Sequence, residues 1–160
     1  MFRAAVLTLS DKGARGERVD ESGRILREIL EQAQIEVVQY EVIPDDRDIL
    51  KDRLIKLSGK VDLIVTTGGT GLSPRDITPD VTLEVIDREV PGIAEAMRLG
   101  GLQKTPRAML SRAVAGARGE CLIINLPGSP RAVREGIEII LDVIPHAIEK
   151  LKGSEKECAG

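Results

Sequence analysis

Aromatic side chains are almost absent from this sequence, which has one tyrosine, one phenylalanine and no tryptophan in 160 residues. Proteins that bind single-stranded nucleic acid commonly stack bases on aromatic rings, and this chain lacks such a platform. The net charge of −3, from 23 basic and 26 acidic residues, gives no basic surface on which a long polyanion would be held. We therefore expect no nucleic-acid partner and a core of aliphatic side chains.

Cysteine, histidine and long apolar runs are also scarce. The two cysteines, Cys121 and Cys158, have no spacing typical of a metal site or a disulfide framework, which favours a reducing, cytoplasmic location. The one histidine, His146, is a poor candidate for a base or metal ligand because it falls on a predicted surface helix. No apolar run approaches the roughly 20 residues that span a bilayer, and no signal sequence precedes the first strand, so we expect no membrane association.

Strand-like and helix-like segments alternate along the chain. Apolar strands are predicted at 4–9, 35–43, 61–65 and 121–126, with helical spacing of apolar residues between them. This alternation favours a three-layer α/β/α sandwich with a mostly parallel sheet over 1–152, followed by a flexible tail over 153–160.

Two further elements are predicted with specific limits. A helix that begins near Thr78 is expected to close near Glu89. Residues 109–117 are predicted as an extended segment that returns through a short link to the strand at 121–126. So short a link requires antiparallel pairing, since a parallel crossover takes about a dozen residues or more. We expect one antiparallel strand at the sheet edge.

The most informative stretch, TTGGTGLSPRDITPD over residues 66–80, follows the strand at 61–65. Three glycines in four positions permit positive φ angles and let a ligand approach backbone N–H groups. Thr78 is predicted as a hydroxyl N-cap with Pro79 at the first helical position, so that the positive end of a helix faces the loop. This arrangement suits an anion. The alternative is an ordinary turn at a helix start, which is common in α/β folds.

Two aspartates in separate turns suggest a cation between them. Asp76, beside Arg75, lies in the glycine loop, where a carboxylate repels phosphate unless a divalent cation intervenes. Mg²⁺ is typically bound by one or two carboxylates together with substrate phosphates. In the turn at 44–46, Asp46 is explained as a helix N-cap, whereas Asp45 is not, and both carboxylates are expected to face one cleft. The alternative for Asp76 is local hydrogen bonding to backbone.

Two more turns follow strands at the same predicted edge. Residues 126–130, LPGSP, repeat the order of strand, glycine turn, hydroxyl cap and proline, which gives a second helix start compatible with an anion. Ser10 and Asp11 follow the first strand, with Lys12, Arg15 and Arg18 as candidate phosphate contacts or solvated charges. No GxGxxG follows that strand, which disfavours a nicotinamide-dependent oxidoreductase, and the loop at 66–71 lacks the Gly-Lys-Ser/Thr ending of a P-loop NTPase.

The combination TTGGTG followed by SPRDITPD closely resembles the signature of the molybdopterin adenylyltransferase family, which is related to the first domain of gephyrin. Ser10-Asp11, Pro44-Asp45-Asp46, Ser111-Arg112 and the turn at 126–130 occur in the order that the family shows, so the resemblance covers nearly the whole chain. It implies that ATP with Mg²⁺ adenylylates molybdopterin and releases pyrophosphate. The alternative is a module that binds molybdopterin without transferring AMP, although both motif aspartates are present.

The resemblance also implies site residues and partners. Asp45 and Asp76 are expected to bind Mg²⁺ and to be catalytic, and Arg112 to hold phosphate in bidentate fashion unless it is a surface arginine. A homotrimer and a downstream molybdenum-insertion protein are expected by the same resemblance. The residues expected to bind substrates are Ser10, Asp11, Thr67, Gly68, Gly69, Thr70, Gly71, Thr78, Glu95, Ser111, Arg112, Pro127, Gly128 and Ser129.

Overall fold

The computed structural model describes residues 1–157 as a six-stranded sheet with helices on both faces. The strands are β1 (Phe2–Leu9), β2 (Ile35–Ile43), β3 (Leu63–Thr67), β4 (Arg88–Glu89), β5 (Ala115–Arg118) and β6 (Cys121–Leu126). Their spatial order is β2-β1-β3-β6-β5-β4, and β2, β1, β3 and β6 are parallel. The predicted α/β class is confirmed. Residues 158–160, with Cys158 and the end of the predicted tail, lie outside the described residues.

The helices begin largely where capping residues predict. They are α1 (Asp11–Ala14), α2 (Glu21–Gln32), α3 (Arg47–Ser58), α4 (Thr78–Val85), α5 (Pro91–Leu102), α6 (Pro130–Ile140) and α7 (Ile144–Leu151), with 3₁₀ helices at Pro106–Leu110 and Leu141–Val143. The carboxylates of Asp20 and Asp46 cap α2 and α3 by accepting hydrogen bonds from Gly23 N and Ile49 N. Ser129 caps α6 with Pro130 at its first position, as predicted.

Alternating side chains of the central strands fill two separate cores. On β1, Ala4 and Val6 pack under α2, α5, α6 and α7, whereas Ala5 and Leu7 pack under α3 and α4. The strands are therefore buried on both faces, which is the reason for their nearly continuous apolar sequence.

Two predicted elements are wrong in their limits. The helix expected to reach Glu89 ends at Val85, and Arg88–Glu89 forms β4, whose exposed charged side chains show no strand-like alternation. The segment expected to be extended from Met109 is partly 3₁₀ helix, because Thr105 caps Pro106–Leu110 through a bond from Arg107 N. The strand begins only at Ala115.

The antiparallel strand was expected at the edge of the sheet. β5 does run antiparallel to β6, joined by the predicted short link, but β4 pairs with its other side and forms the edge. The backbones approach closely here, since a β-carbon on Gly116 would lie 2.5 Å from the carbonyl oxygen of Arg88. Glycine at this position therefore permits the pairing of β4.

The four parallel strands end at one rim of the sheet. The turns after β1, β2, β3 and β6 carry Ser10–Asp11, Pro44–Asp45, Gly68–Gly69 and Pro127–Ser129, respectively. This is the rim at which open parallel α/β sheets bind ligands.

Candidate functional site

A cleft of about 710 Å³ opens at this rim. It brings together nine of the residues predicted from sequence, and the two aspartates from separate turns are among them. The nine are Ser10, Asp11, Asp45, Thr67, Gly68, Gly69, Asp76, Gly128 and Ser129.

The glycine turn after β3 has the backbone conformation that its sequence predicts. Gly68 and Gly69 have φ angles of 92° and 69°, which side-chain-bearing residues rarely adopt. A β-carbon on Gly68 would lie 2.6 Å from the carbonyl oxygen of Leu9, and one on Gly69 would lie 2.3 Å from Thr78 Oγ1. The turn is thus packed tightly against the end of β1 and the start of α4.

Buried hydroxyls and one amide support this turn from below. Thr78 Oγ1 donates to the carbonyl of Gly68 at 2.9 Å, and Thr82 Oγ1 donates to the carbonyl of Thr78 at 2.8 Å. Asn125 Nδ2 donates to the hydroxyls of Thr66 and Thr82, both at 3.0 Å. The prediction that the Thr78 side chain caps α4 is wrong: Ile77 is the N-cap, and the Thr78 hydroxyl is held by the turn.

The turn after β6, which also borders the cleft, is held by hydrogen bonds from Thr67 and Ser22. The hydroxyl of Thr67 donates to the carbonyl of Pro127 at 3.0 Å, and Ser22 Oγ donates to the carbonyl of Gly128 at 2.6 Å. The turns after β3 and β6 touch directly, since a β-carbon on Gly128 would lie 3.3 Å from Gly68 Cα. The Thr67 bond therefore joins the two anion-compatible turns, and the Ser22 bond attaches the second of them to α2.

Asp45 and Asp11 bind each other through backbone and carboxylate. Asp45 N donates to Asp11 Oδ1 at 3.0 Å, and Asp11 N donates to Asp45 Oδ2 at 3.2 Å. Burial raises the pKa of Asp45, and the negative charges of Asp11 and Asp76 raise it further. The backbone amide of Asp45 holds the pKa of Asp11 below its ordinary value, and the Arg75 guanidinium acts in the same direction. The pKa values of the two neighbouring carboxyl groups are therefore shifted in opposite directions.

Arg75 and Asp76 hold the glycine loop against the turn after β1. The guanidinium of Arg75 forms a forked ion pair with Asp11, at 2.9 to 3.1 Å. Asp76 Oδ2 accepts a hydrogen bond from Ser73 N at 2.9 Å, so the predicted local bonding of this carboxylate is present as well as its position in the cleft.

The charge of the cleft favours a cation as part of any anionic ligand. Five acidic side chains line it, Asp11, Asp20, Glu21, Asp45 and Asp76, against two basic ones, Lys12 and Arg18. Within residues 1–157, no group of three or more His, Cys, Asp or Glu side chains is arranged to hold a metal by itself. Mg²⁺ is usually held by one or two carboxylates and completed by phosphate oxygens, and Asp45 and Asp76 are carboxylates of this cleft that could take that part.

The remaining predicted residues lie outside this cleft. Thr70, Gly71 and Arg112 contact one another behind the loop: Arg112 N donates to Thr70 O and Arg112 Nε to Gly71 O, both at 2.8 Å. Glu95 is exposed on α5. Sequence order alone does not indicate this separation.

Ser111 and Pro127 line a second, smaller pocket of about 270 Å³ between α5, α6 and the first 3₁₀ helix, Pro106–Leu110. Ser129 lines both cavities. Arg98 on α5 also lines this pocket, and its Nη1 donates to the carbonyls of Ser111 and Ala113. Arg98 therefore holds the segment that precedes β5.

The candidate phosphate contacts Lys12 and Arg18 line the main cleft, but sequence reasoning missed the wall formed by Thr8 and residues 19–22. Asp20 caps α2 through Oδ1, while its Oδ2 accepts from Thr8 Oγ1 at 2.7 Å and from the Tyr40 hydroxyl. Burial and the Asp20 carboxylate raise the pKa of Tyr40. Asp20 is the residue in the sequence that could have indicated this wall. Because its role as a helix cap already explains an aspartate there, the sequence gives no reason to place a ligand beside it.

Nucleophilic catalysis by Cys121, the free cysteine in the described part of the chain, finds little support. Cys121 is buried in β6, and burial raises the pKa of its thiol to about 12, so it is a poor nucleophile. Across residues 1–157, no helix has the length and apolar character needed to cross a bilayer.

Comparison with known proteins relates nearly the whole chain to one family. A family model described as a probable molybdopterin binding domain matches residues 5–146. Molybdopterin adenylyltransferase of Helicobacter pylori is 40% identical over 153 residues, 93% of this chain and 87% of that protein. Gephyrin of Dictyostelium discoideum is 40% identical over 94% of this chain, which covers 23% of gephyrin. The crystal structure of the molybdopterin biosynthesis enzyme MoaB from Thermus thermophilus has a TM-score of 0.90 at 53% identity, covering 96% of this chain and 98% of that chain.

Proposed function

This chain belongs to the family of probable molybdopterin binding domains, and from that premise we propose that it is a molybdopterin adenylyltransferase of molybdenum cofactor biosynthesis. The observation that carries the proposal is the meeting of Asp45 and Asp76, from separate turns, with the glycine turn after β3 in one cleft. The substrates are ATP, with Mg²⁺, and molybdopterin.

The reaction is a nucleotidyl transfer. An oxygen of the terminal phosphate of molybdopterin attacks the α-phosphorus of ATP and forms a new P–O bond. The bond from the α-phosphorus to the bridging oxygen breaks, its electron pair leaves with pyrophosphate, and adenylyl-molybdopterin is formed. Such transfers depend on alignment and charge neutralisation more than on a nucleophilic side chain.

The chain's own residues provide that alignment. Gly68 and Gly69 leave backbone close to the cleft unshielded by side chains, and the amino end of α6 at Ser129 and Pro130 adds a second anion-compatible helix start. Asp45 and Asp76 are the candidate Mg²⁺ ligands, with Asp11 and Arg75 fixing the turns that carry them. When bound, Mg²⁺ neutralises phosphate charge that would otherwise face an acidic cleft.

The experiment is incubation of the purified chain with molybdopterin, ATP and Mg²⁺. We expect adenylyl-molybdopterin and pyrophosphate in equal amounts, and no product when EDTA removes the metal. The second candidate function, a binding module, predicts saturable molybdopterin binding with pyrophosphate at background level. That result would refute the proposed reaction while leaving the family assignment intact.

The assembly and location are proposals of the same kind. We expect a homotrimer in the cytoplasm, where the product passes to a molybdenum-insertion protein. Apolar side chains exposed on α5 and the first 3₁₀ helix, among them Leu99 and Met109, support an oligomer. The buried, free thiol of Cys121 is compatible with a reducing compartment.

A further inference from the structure

Arg112 contacts the glycine loop at both of its ends. Besides the bonds from Arg112 N and Nε to the carbonyls of Thr70 and Gly71, Nη2 donates to the carbonyl of Asp76 at 2.8 Å. Nη1 lies 3.1 Å from both carboxylate oxygens of Asp80, in the first turn of α4. A single guanidinium thus joins the two ends of residues 71–76 to the helix that follows them.

The loop has few other restraints of this kind. Its residues 72–75 are exposed and form no helix or strand. The Asp76 carboxylate bonds locally to Ser73 N, and Asp76 N donates to Ser73 O at 2.9 Å, so these bonds shape the turn without attaching it to the rest of the molecule. Among the hydrogen bonds of residues 1–157, those that attach the loop to other segments are the ion pair of Arg75 with Asp11 and the bonds from Arg112.

We propose that Arg112 is a positioning residue that holds Asp76 in place for the transfer, and that it does not bind substrate phosphate. The inference rests on the proposed function for its kinetic consequence, although its structural basis is independent of the reaction. The guanidinium has N–H donors in a fixed fork, and three of its nitrogens are already directed at loop carbonyls and Asp80. An arginine that binds substrate phosphate would instead point its guanidinium into the cleft, and Arg112 does not line the cleft.

Arg112→Lys keeps the charge but has one nitrogen in place of the fork, so it cannot make all of these bonds. We expect amide hydrogen exchange of residues 72–77 to rise about tenfold or more, since at least two hydrogen bonds to the loop are lost. With the loop displaced, kcat is expected to fall by about ten- to a hundredfold, whereas KM for ATP changes little.

Asp80→Asn supplies a second variant that leaves the guanidinium intact but weakens its anchor. It is expected to change exchange and kcat in the same direction, by a smaller factor, and its effect is expected to shrink in the Arg112→Lys background because both act through one contact. The matched control is Arg118→Lys, since Arg118 Nη1 donates to the carbonyl of Val85 at the other end of α4. This control is expected to leave exchange in 72–77 unchanged.

A phosphate-binding Arg112 gives a different pattern. In that case Arg112→Lys raises KM for ATP, exchange in 72–77 stays at the wild-type rate and Asp80→Asn is without effect; that pattern overturns the proposal. If the wild type proves to have no transferase activity, the exchange experiment still decides whether Arg112 holds the loop. The two failures are therefore distinguishable.

Discussion

Gly69 shows how closely the cleft depends on backbone conformation. Its φ of 69° places it in the left-handed region, and a β-carbon there would lie 2.3 Å from Thr78 Oγ1 and 3.3 Å from Asp45 Oδ1. A side chain at this position would therefore strain the backbone and press on both a buried hydroxyl and a proposed metal ligand.

We predict that Gly69→Ala lowers the free energy of unfolding by about 2–4 kcal/mol, combining the left-handed cost with overpacking. Urea denaturation measures this directly. Gly16→Ala is the matched control, because Gly16 has a φ of 75° but open space around it. In this control the free energy of unfolding is expected to fall by only about 1 kcal/mol, which is the cost of placing alanine in the left-handed conformation. Equal losses in the two variants would contradict the packing argument.

Helix α7 is attached to the sheet through Asp62, which lies just before β3. Asp62 Oδ2 accepts from Arg3 N at 2.8 Å, and Lys152 Nζ lies 2.7 Å from Asp62 Oδ1. Burial by itself raises the pKa of Asp62, but the hydrogen bonds from Lys152 and Arg3 outweigh it and hold the pKa below its usual value. The ionised form of Asp62 is thus favoured in the folded state.

A group whose pKa is lowered by folding stabilises the fold above its unfolded pKa and loses that contribution as the pH falls through the folded value. We predict that Asp62→Asn lowers the free energy of unfolding by about 1 kcal/mol at pH 7, a modest value because Lys152 is partly solvated. The difference in stability from wild type is expected to shrink as the pH falls below 3.8, the ordinary pKa of an aspartate.

Denaturation of both proteins between pH 7 and pH 2 tests this dependence. Asp52→Asn is the control, since the Lys56–Asp52 pair on α3 is more exposed and such pairs contribute little. A difference between wild type and Asp62→Asn that persists unchanged to pH 2 would show that ionisation of Asp62 is not its origin.

Elements with strong local signals are the ones that sequence predicts well. The apolar runs of β1, β3 and β6 and the caps Asp46 and Ser129 are confirmed, because burial on both faces and capping each leave a pattern in the sequence. β4 is missed because two exposed charged residues pair only when β5 lies beside them. That pairing is a tertiary contact, and no local pattern records it.

The candidate site divides in the same way. Convergence of Asp45 and Asp76 follows from the rule that parallel strands end at one rim, and the structure agrees. The contacts of Arg112 join residues 36 and 41 positions apart, so nothing around Arg112 in the sequence distinguishes a loop attachment from a phosphate ligand. The wall formed by residues 19–22 gives no distinct signal in the sequence either, because helix capping already explains Asp20.

Exposed apolar side chains on α5 and the first 3₁₀ helix favour self-association. Leu99 and Met109 are 66% and 62% exposed, and Leu102 and Leu110 lie on the same two elements, α5 and the first 3₁₀ helix. These two elements pack against each other, and large apolar patches are uncommon on the surface of a monomer. This face is the candidate contact of the proposed homotrimer.

We predict that light scattering gives three times the chain mass of 17.3 kDa, and that Leu99→Glu lowers it. A charged side chain buried in an apolar contact without a partner destabilises the contact, so dissociation is expected. Ile55→Glu is the control, because Ile55 is also partly exposed but lies on α3, on the opposite face of the sheet. A wild-type protein of monomer mass would refute the trimer. If Ile55→Glu dissociates the oligomer and Leu99→Glu does not, the subunit contact lies at α3 and not at α5.

The central claim is that carboxylates from two turns share a cation with substrate phosphates at one rim of the sheet. The most direct measurement compares steady-state pyrophosphate release with molybdopterin binding in Asp45→Asn and Asp76→Asn, each with Mg²⁺ present. We predict that kcat falls by about a hundredfold or more in each variant while the dissociation constant of molybdopterin changes by less than about threefold, since an amide cannot replace a charged ligand in the transition state. Wild-type turnover in either variant would contradict the claim for that carboxylate.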